Sequence, residues 1–411
     1  MPISSERIAN DIAKIGKLTE TPDTGTINRT PFSVPWGQAR DYVVGELEAL
    51  GCKIRVDSAG NVHARPTAIS WEAAAWLSGS HLDTIPNGGN YDGVIGVIAV
   101  LEAMRAARED LKIAVPLELV IWAATEPAFG MAMIGSRSYV AELNAHTLAE
   151  LRNARGLTYT QAGAPFGVDP AKLAGDKLKK STIIGYVEVH AEEGLTMWGQ
   201  GLQVACVTNI SGRRQYRCEL VGAPNHAGST AMHDRRDALT GAAEMIVSLE
   251  KLALELRKET VITVGRIECE PNMMNFIAGK VTFTIDLRSP STTVLAQADQ
   301  AIQKLFVKVA KQRKLQHKIE LTDSRAGIDF DQRICSKMHK AARAKRIEPM
   351  IDMTSGAIHD AAVLAEHIPS AMLFVPSRDG ISHSPEEYSR PDDIAAAVTV
   401  LLETVRDRRL E

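Results

Sequence analysis

Four short, mostly apolar runs, at 75–80, 117–123, 183–190 and 371–375, constrain this chain more than any other feature. Runs of that length with few polar residues fit strands buried on both faces, as in a parallel sheet. Helical stretches lie between the first of them. Residues 36–50 place Ala39, Val43, Leu47 and Leu50 on one face, and Gly51 ends the pattern. Residues 93–108 carry Val94, Val97, Ile98, Leu101 and Met104 on one stripe. Two further strand candidates, 53–57 and 61–65, flank an Ala59-Gly60 turn. Strands alternating with helices predict an α/β domain with a mixed, mostly parallel sheet.

The pattern changes between about 211 and 325. Strand candidates at 214–220, 261–267, 281–287 and 318–322 are interleaved with two amphipathic helices at 237–256 and 293–312. The order is βαββαβ, the split βαβ arrangement. The simplest parse is a small domain, 209–325, inserted into a discontinuous larger one, 1–208 plus 326–411. The length of 411 residues suits two or three domains at roughly 150 residues each. No repeat and no low-complexity tract is visible, and the longest irregular stretch is about 153–180.

Composition narrows the function classes. With 47 Lys plus Arg against 50 Asp plus Glu, the net charge is −3, which gives no electrostatic reason to expect nucleic acid or an anionic membrane as partner. No apolar stretch approaches the ~18 residues of a membrane span. The N-terminus lacks the basic and apolar regions of a signal peptide. The five Cys are odd in number and never form C-x-x-C, which argues against a disulfide framework or a zinc knuckle. A reducing, cytoplasmic setting is expected.

The chemistry-bearing residues follow the apolar runs. His81 and Asp83 follow the first, Glu126 the second, His190 ends the third, and His383 lies eight residues beyond Val375. Asp92 sits in the Gly-rich turn that opens the 93–108 helix. Open α/β sheets bind ligands at the carboxyl ends of their strands. Imidazole and carboxylate donors collected there suit Zn, Mn, Co or Ni. One carboxylate can bridge two ions about 3.5–4 Å apart. Asp83 can also be read as the group that orients His81.

Five segments, GSHLDTIPNGGNYDGVIG, EVHAEEG, PNHAGSTAMHDRRDA, NFIAGKVTFTIDLR and FVPSRDGISHSPEEY, together resemble the amidohydrolase branch of the M20 metallopeptidase family. That branch includes N-carbamoyl-L-amino-acid hydrolases, allantoate amidohydrolases and β-ureidopropionases. The resemblance runs over almost the whole chain. It implies two divalent ions, an inserted lid and dimerisation domain, a homodimer, and a small anionic amide or ureido substrate. It makes His81 and His190 ligands of one ion, Asp92 the bridge, and Glu126 and His383 ligands of the other. His226 would stabilise the oxyanion, and Asn275 and Arg288 would bind a substrate carboxylate, to which a guanidinium is well matched.

The chain departs from the family pattern at four places. Where the family reads E-E-G-x-R-F-G, this sequence reads Ala124-Thr125-Glu126-Pro127-Ala128-Phe129-Gly130, so Thr125 stands at the position of the general base. Where it reads H-x-E-Q-G, Glu193 replaces the Gln. Ile358 replaces a Gly in S-G-A-G-H-D-A, and Arg213 stands where a Gln is frequent. The expected function is therefore hydrolysis of a C–N bond in an N-carbamoyl, ureido or N-acyl amino-acid-like substrate, with Glu193 as the relocated base beside His226 and Glu126. The alternative is a catalytically weakened member that binds a small anionic ligand; a dimeric structural protein is a third reading.

Overall fold

A computed structural model describes residues 3–111, 115–256, 259–406 and 408–410. In chain order its strands are β1 (Cys52–Val56), β2 (Val62–Pro66), β3 (Ala75–His81), β4 (Leu117–Trp122), β5 (Ile183–Ala191), β6 (Ala205–Ile210), β7 (Gly212–Val221), β8 (Asn225–His226), β9 (Val261–Thr263), β10 (Ile267–Glu270), β11 (Phe276–Ile277), β12 (Lys280–Ser289), β13 (Gln316–Arg325), β14 (Ile328–Asp329), β15 (Ile351–Ser355) and β16 (Ser370–Val375). The chain divides into two compact units. The first comprises Met1–Thr208, Asp329–Met353 and Ala357–Glu411; the second comprises Asn209–Ile328 and Thr354–Gly356.

The first unit is built on a nine-stranded sheet of order β1-β2-β4-β3-β5-β16-β6-β14, with β15 also paired to β6. The four central strands, β4, β3, β5 and β16, are mutually parallel. The flanks β1-β2-β4 and β16-β6 are antiparallel. β3, β4, β5 and β16 are buried on both faces along almost their whole length, which is why they read as near-continuous apolar runs. The Val94–Ala106 helix packs on β3 and β5 and is buried along its whole length. Its two charged residues are paired: Glu102 with Arg7 at 2.6 Å, and Arg105 with Asp11 and Glu46. Pairing of this kind is what makes buried charge tolerable. Gly96 lets the helix lie close to the sheet, because a Cβ there would stand 2.5 Å from the Val189 carbonyl oxygen.

Parallel pairing has a direct consequence. It lays the carboxyl ends of β3, β4, β5 and β16 along one edge, with His81 opposite Trp122 and His190 opposite Phe374 in the ladders.

The second unit has an antiparallel sheet of order β10-β12-β7-β13, with β9 also on β12. The helices Ala238–Glu255 and Thr292–Arg313 share a core with it, made of residues such as Tyr216, Cys218, Phe283, Ile285 and Phe306. The single strand expected over 261–267 is instead two, β9 and β10. Thr263 faces Asp286 and Ile267 faces Phe283, so three residues on one side oppose two on the other. One extra residue makes this a bulge, with Gly265 at its centre. The helix 391–405, begun by Pro391, was not among the expected elements; in the structure it spans Pro391–Val405 and packs on β16. Among the described residues no helix is long and apolar enough to cross a membrane.

Candidate metal centre

The strand-end edge of the first unit gathers His81, Asp92, Glu126, His190, Glu193 and His383. His81 and His190 hold their rings by the Nδ1 atom, which lies 2.9 Å from the Asp83 carbonyl oxygen in one and 3.1 Å from the Ala191 carbonyl oxygen in the other. A carbonyl only accepts, so each Nδ1 carries the proton and each Nε2 is directed inward. Both Nε2 atoms face the same oxygen, Asp92 Oδ1, at 3.7 and 3.2 Å. The other oxygen, Asp92 Oδ2, lies 3.2 Å from His383 Nε2, which is 3.4 Å from Glu126 Oε1. Asp92 thus stands between two donor groups, one formed by His81 and His190 and the other by His383 and Glu126. Glu193 joins the second side, with donor atoms of Asp92, Glu193 and His383 all within 4.8 Å of one another.

Local backbone fixes these positions. The N–H groups of Tyr91 and Asp92 both donate to Glu387 Oε2, at 2.7 and 2.9 Å, and so clamp the turn that carries Asp92. Gly93 follows with φ +68°, and a Cβ there would lie 2.5 Å from the His81 ring. Only glycine fits that position without strain. The Glu126 N–H donates to Asp83 Oδ2 at 2.8 Å, so Asp83 ties the end of β3 to the segment after β4. His383 has φ 56°, in the left-handed region, which is costly for a non-glycine and found where function requires it.

The electrostatics are those of several imidazoles around buried carboxylates. Burial pushes the His81 and His190 pKa values down, but their acidic neighbours, above all Asp92, outweigh it and bring them up to about 9 and about 10. Hydrogen bonds to Asp92 and Glu126 raise His383 to about 11. Burial pushes Asp92 up, yet the hydrogen bonds from His190 and His383 win and hold it well below the usual carboxylate range. Burial raises Glu193 despite His190.

Behind the centre lies a second row of buried groups. Burial and Asp360 push Glu188 up to about 7; it accepts from Ser80 Oγ at 2.9 Å and the Ala361 N–H at 2.8 Å. Asp360 accepts from Thr125 Oγ at 2.7 Å and from Ser136 Oγ. The His359 ring packs edge-on against His190, with centroids 4.4 Å apart. Sequence reasoning missed Glu188, Asp360 and Glu387. An acid inside the otherwise apolar run 183–190 was the one available signal for Glu188.

The remaining candidates lie elsewhere. Ile358 is half-buried in the first unit. His226 and Asn275 belong to the two-stranded β8-β11 ribbon region of the second unit, joined by the Ala227 N–H to Asn275 carbonyl bond of 2.9 Å. His226 Nδ1 accepts from the N–H groups of Gly228 and Ser229, both at 3.2 Å, so the neutral ring carries its proton on Nε2. Arg288 and Arg213 face each other across β12 and β7. Arg288 binds both oxygens of Asp286 and donates to the Gly356 carbonyl at 2.7 Å. Arg213 pairs with Asp323.

Three imidazole nitrogens and the carboxylates of Asp92 and Glu126 converging on one edge are a donor set suited to a mixed nitrogen–oxygen metal centre in an α/β domain, with the Glu193 carboxylate beside them. The inward Nε2 atoms fit that use, since their Nδ1 partners leave a lone pair for an ion. Residues 77–407 match Peptidase family M20/M25/M40, and the chain belongs to that family. It is 34% identical over 409 residues, 98% of each chain, to the N-carbamoyl-L-amino acid amidohydrolase of Geobacillus stearothermophilus. It is 32% identical over 379 residues, 92% of this chain and 91% of the relative, to the allantoate amidohydrolase of Bacillus subtilis. An amidase of the hydantoinase/carbamoylase family from Burkholderia multivorans shares the fold with a TM-score of 0.92 and 31% identity, covering 100% of this chain and 99% of that one.

An ion must take imidazole lone pairs that the metal-free protein keeps protonated, so binding competes with protons. Divalent-ion affinity should rise with pH through neutrality, and protons should be released on binding at pH 7. Calorimetry in two buffers of different ionisation heat measures this release; uptake of ions with no proton release would contradict the imidazole ligand set.

Proposed function

We propose that the protein is an amidohydrolase with two divalent ions, Zn, Mn, Co or Ni, that cleaves a C–N bond of an N-carbamoyl, ureido or N-acyl amino-acid-like acid. One observation carries the reading: Asp92 offers one oxygen to His81 and His190 and the other to His383, which also faces Glu126. The relatives named above as carbamoyl-amino-acid and allantoate amidohydrolases, and a ureidoglycolate hydrolase of Oryza sativa at 31% identity over 97% of this chain, support the substrate class. A bound divalent pair supplies Lewis-acid polarisation of the substrate carbonyl and makes water a nucleophile at neutral pH.

The chain's own residues must move the proton. A hydroxyl is no base at neutral pH, and Thr125 donates its proton to Asp360. Glu193 is the group we assign to take a proton from the attacking water and return it to the leaving nitrogen. Burial raises its pKa above the ordinary carboxylate value, and it stands beside Asp92 and His383. Recognition is assigned to Arg288 and Asn275 of the second unit for the anionic group of the substrate and to His226 Nε2–H for the oxyanion, with Arg213 of the second unit and Ile358 of the first shaping specificity. The absence of an acid at 125 favours a second reading, a family member that binds such a ligand and turns it over poorly.

Elemental analysis after metal loading should approach two ions per chain, and Asp92→Ala should lower that stoichiometry. Glu193→Gln should abolish turnover with metal content unchanged, and Thr125→Glu in that background should recover it. A wild-type rate in Glu193→Gln removes the relocated base. No turnover in wild type, with activity in Thr125→Glu, makes the second reading correct.

Arg288→Ala should weaken substrate binding by about 2–5 kcal/mol, since a desolvated charge pair is lost. Equal binding of acid and neutral-amide analogues would contradict the assignment.

The second unit also supports a homodimer. Among the described residues β13 pairs with β7 alone, which leaves its other edge open, and Val247 and Leu254 of the Ala238–Glu255 helix are 50% and 81% exposed. Sedimentation at micromolar concentration should give the mass of a dimer; a monomer there would contradict it.

A further inference from the structure

A second convergence of metal-binding atoms lies in the first unit, on segments that contribute nothing to the centre at the strand-end edge. Cys206 is on β6, and Asp352 is on β15, which pairs with β6. Cys335 and His339 are one turn apart on the helix Gln332–Lys345, and so share a face. The Cys206 Sγ, a ring nitrogen of His339 and a carboxylate oxygen of Asp352 all lie within 4.8 Å of one another. The Cys206 and Cys335 thiols are neighbours, and each perturbs the other's protonation. His339 Nε2 lies 2.6 Å from Asp352 Oδ1. The two thiols are buried, whereas the His339 and Asp352 side chains are 26% and 62% exposed.

We propose that Cys206, Cys335, His339 and Asp352 form a separate site for one thiophilic divalent cation of the zinc class. Two sulfurs, one imidazole nitrogen and one carboxylate oxygen complete a four-coordinate shell for such an ion. Ligand atoms at ~2.0–2.3 Å from a tetrahedral ion stand roughly 3.3–3.8 Å apart; Cys206, His339 and Asp352 already lie within 4.8 Å of one another, and Cys335, outside that group but next to Cys206, has to turn in to complete the shell. The His339 and Asp352 side chains are partly exposed, so an ion from solvent meets them before the buried thiols. Binding breaks the His339–Asp352 hydrogen bond, forms four metal–ligand bonds and releases two thiol protons to water. The neighbouring Cys335 thiol, and then burial, hold the Cys206 proton in place, so the ion, not the solvent, has to displace it. The competing fate of two adjacent thiols is a disulfide. A disulfide requires neither an imidazole nor a carboxylate at the same spot, and the pairing of His339 with Asp352 over the thiols favours the cation. Once bound, the ion would fasten the Gln332–Lys345 helix to β6 and β15.

The centre at the strand-end edge contains no sulfur, so thiolate-to-metal charge transfer reports on this site alone. Reduced, chelator-stripped full-length protein titrated with Co²⁺ should develop a near-ultraviolet thiolate-to-cobalt band. The band should persist in Asp92→Ala and disappear in Cys335→Ser. Because a buried cysteine substitution can unfold the chain, His339→Ala at the partly exposed rim is the companion variant. It should keep its far-ultraviolet circular dichroism while the cobalt titration shifts to higher concentration. Zn²⁺ should raise the melting temperature of Asp92→Ala and leave that of Asp92→Ala/His339→Ala where it was. Cobalt uptake by the reduced wild-type protein without the sulfur band would overturn the proposal. A band of unchanged strength and midpoint in His339→Ala would do the same, and so would a Cys206–Cys335 disulfide whose reduction yields no cobalt band.

Discussion

A carboxylate sealed away from water must be matched by positive charge, and Asp92 is where this structure meets that demand. Removing such an ion from water costs several kcal/mol even after relaxation. Asp92 is almost fully buried, and three imidazole rings face its two oxygens. Everything around it serves to keep that arrangement in place. Glu387 clamps its turn, Gly93 makes room for the His81 ring, and the carbonyls of Asp83 and Ala191 fix the two inward nitrogens. The parallel strands come first in this chain of dependence, since they alone bring residues 81, 126, 190 and 383 to one edge.

That dependence explains what the sequence exposes and what it hides. The strands β3, β4, β5 and β16 are buried on both faces, so their apolar character is visible without knowing their neighbours. The residues just beyond them are then located by the rule that ligands collect at strand ends. Glu188, Asp360 and Glu387 obey no such rule. Each is buried because of partners distant in the chain, such as Ser80 and Ala361 for Glu188 or Tyr91 for Glu387. The cysteine cluster is hidden for the same reason: Cys206, Cys335 and Asp352 come from three separate segments, and only Cys335 and His339 have a local spacing. The bulge between β9 and β10 escaped notice because Val264 continues the apolar pattern straight into Gly265.

The two clusters differ in a way that separates their chemistry. The strand-end centre offers only nitrogen and oxygen, and its carboxylates leave it suited to ions that tolerate a variable coordination shell. Cys206 and Cys335 prefer softer ions, and their burial excludes the water that a catalytic ion must keep. A thiolate site that fills its coordination sphere with protein atoms holds elements together and leaves no open position for a substrate. On the two proposals, catalysis and anchoring fall at different points of one sheet.

The proposal that Glu193 does the work of an acid at 125 has an electrostatic logic that the buried row makes visible. Position 125 abuts Asp360, and Asp360 lies against Glu188, which is already raised to about 7 by burial and its neighbour. A glutamate at 125 would bring another carboxylate to a crowded interior that water cannot screen. Like charges at such short range raise one another's pKa and turn one group into a permanent acid. Threonine removes that burden and donates its hydroxyl proton to Asp360 instead. Glu193 has a side chain 25% exposed and stands near His190 and His383. There a carboxyl can lose its proton to water and regain it, because both the imidazoles and the solvent stabilise its charge. The proposed assignment to Glu193 thus puts acid–base work away from the crowded Asp360–Glu188 pair.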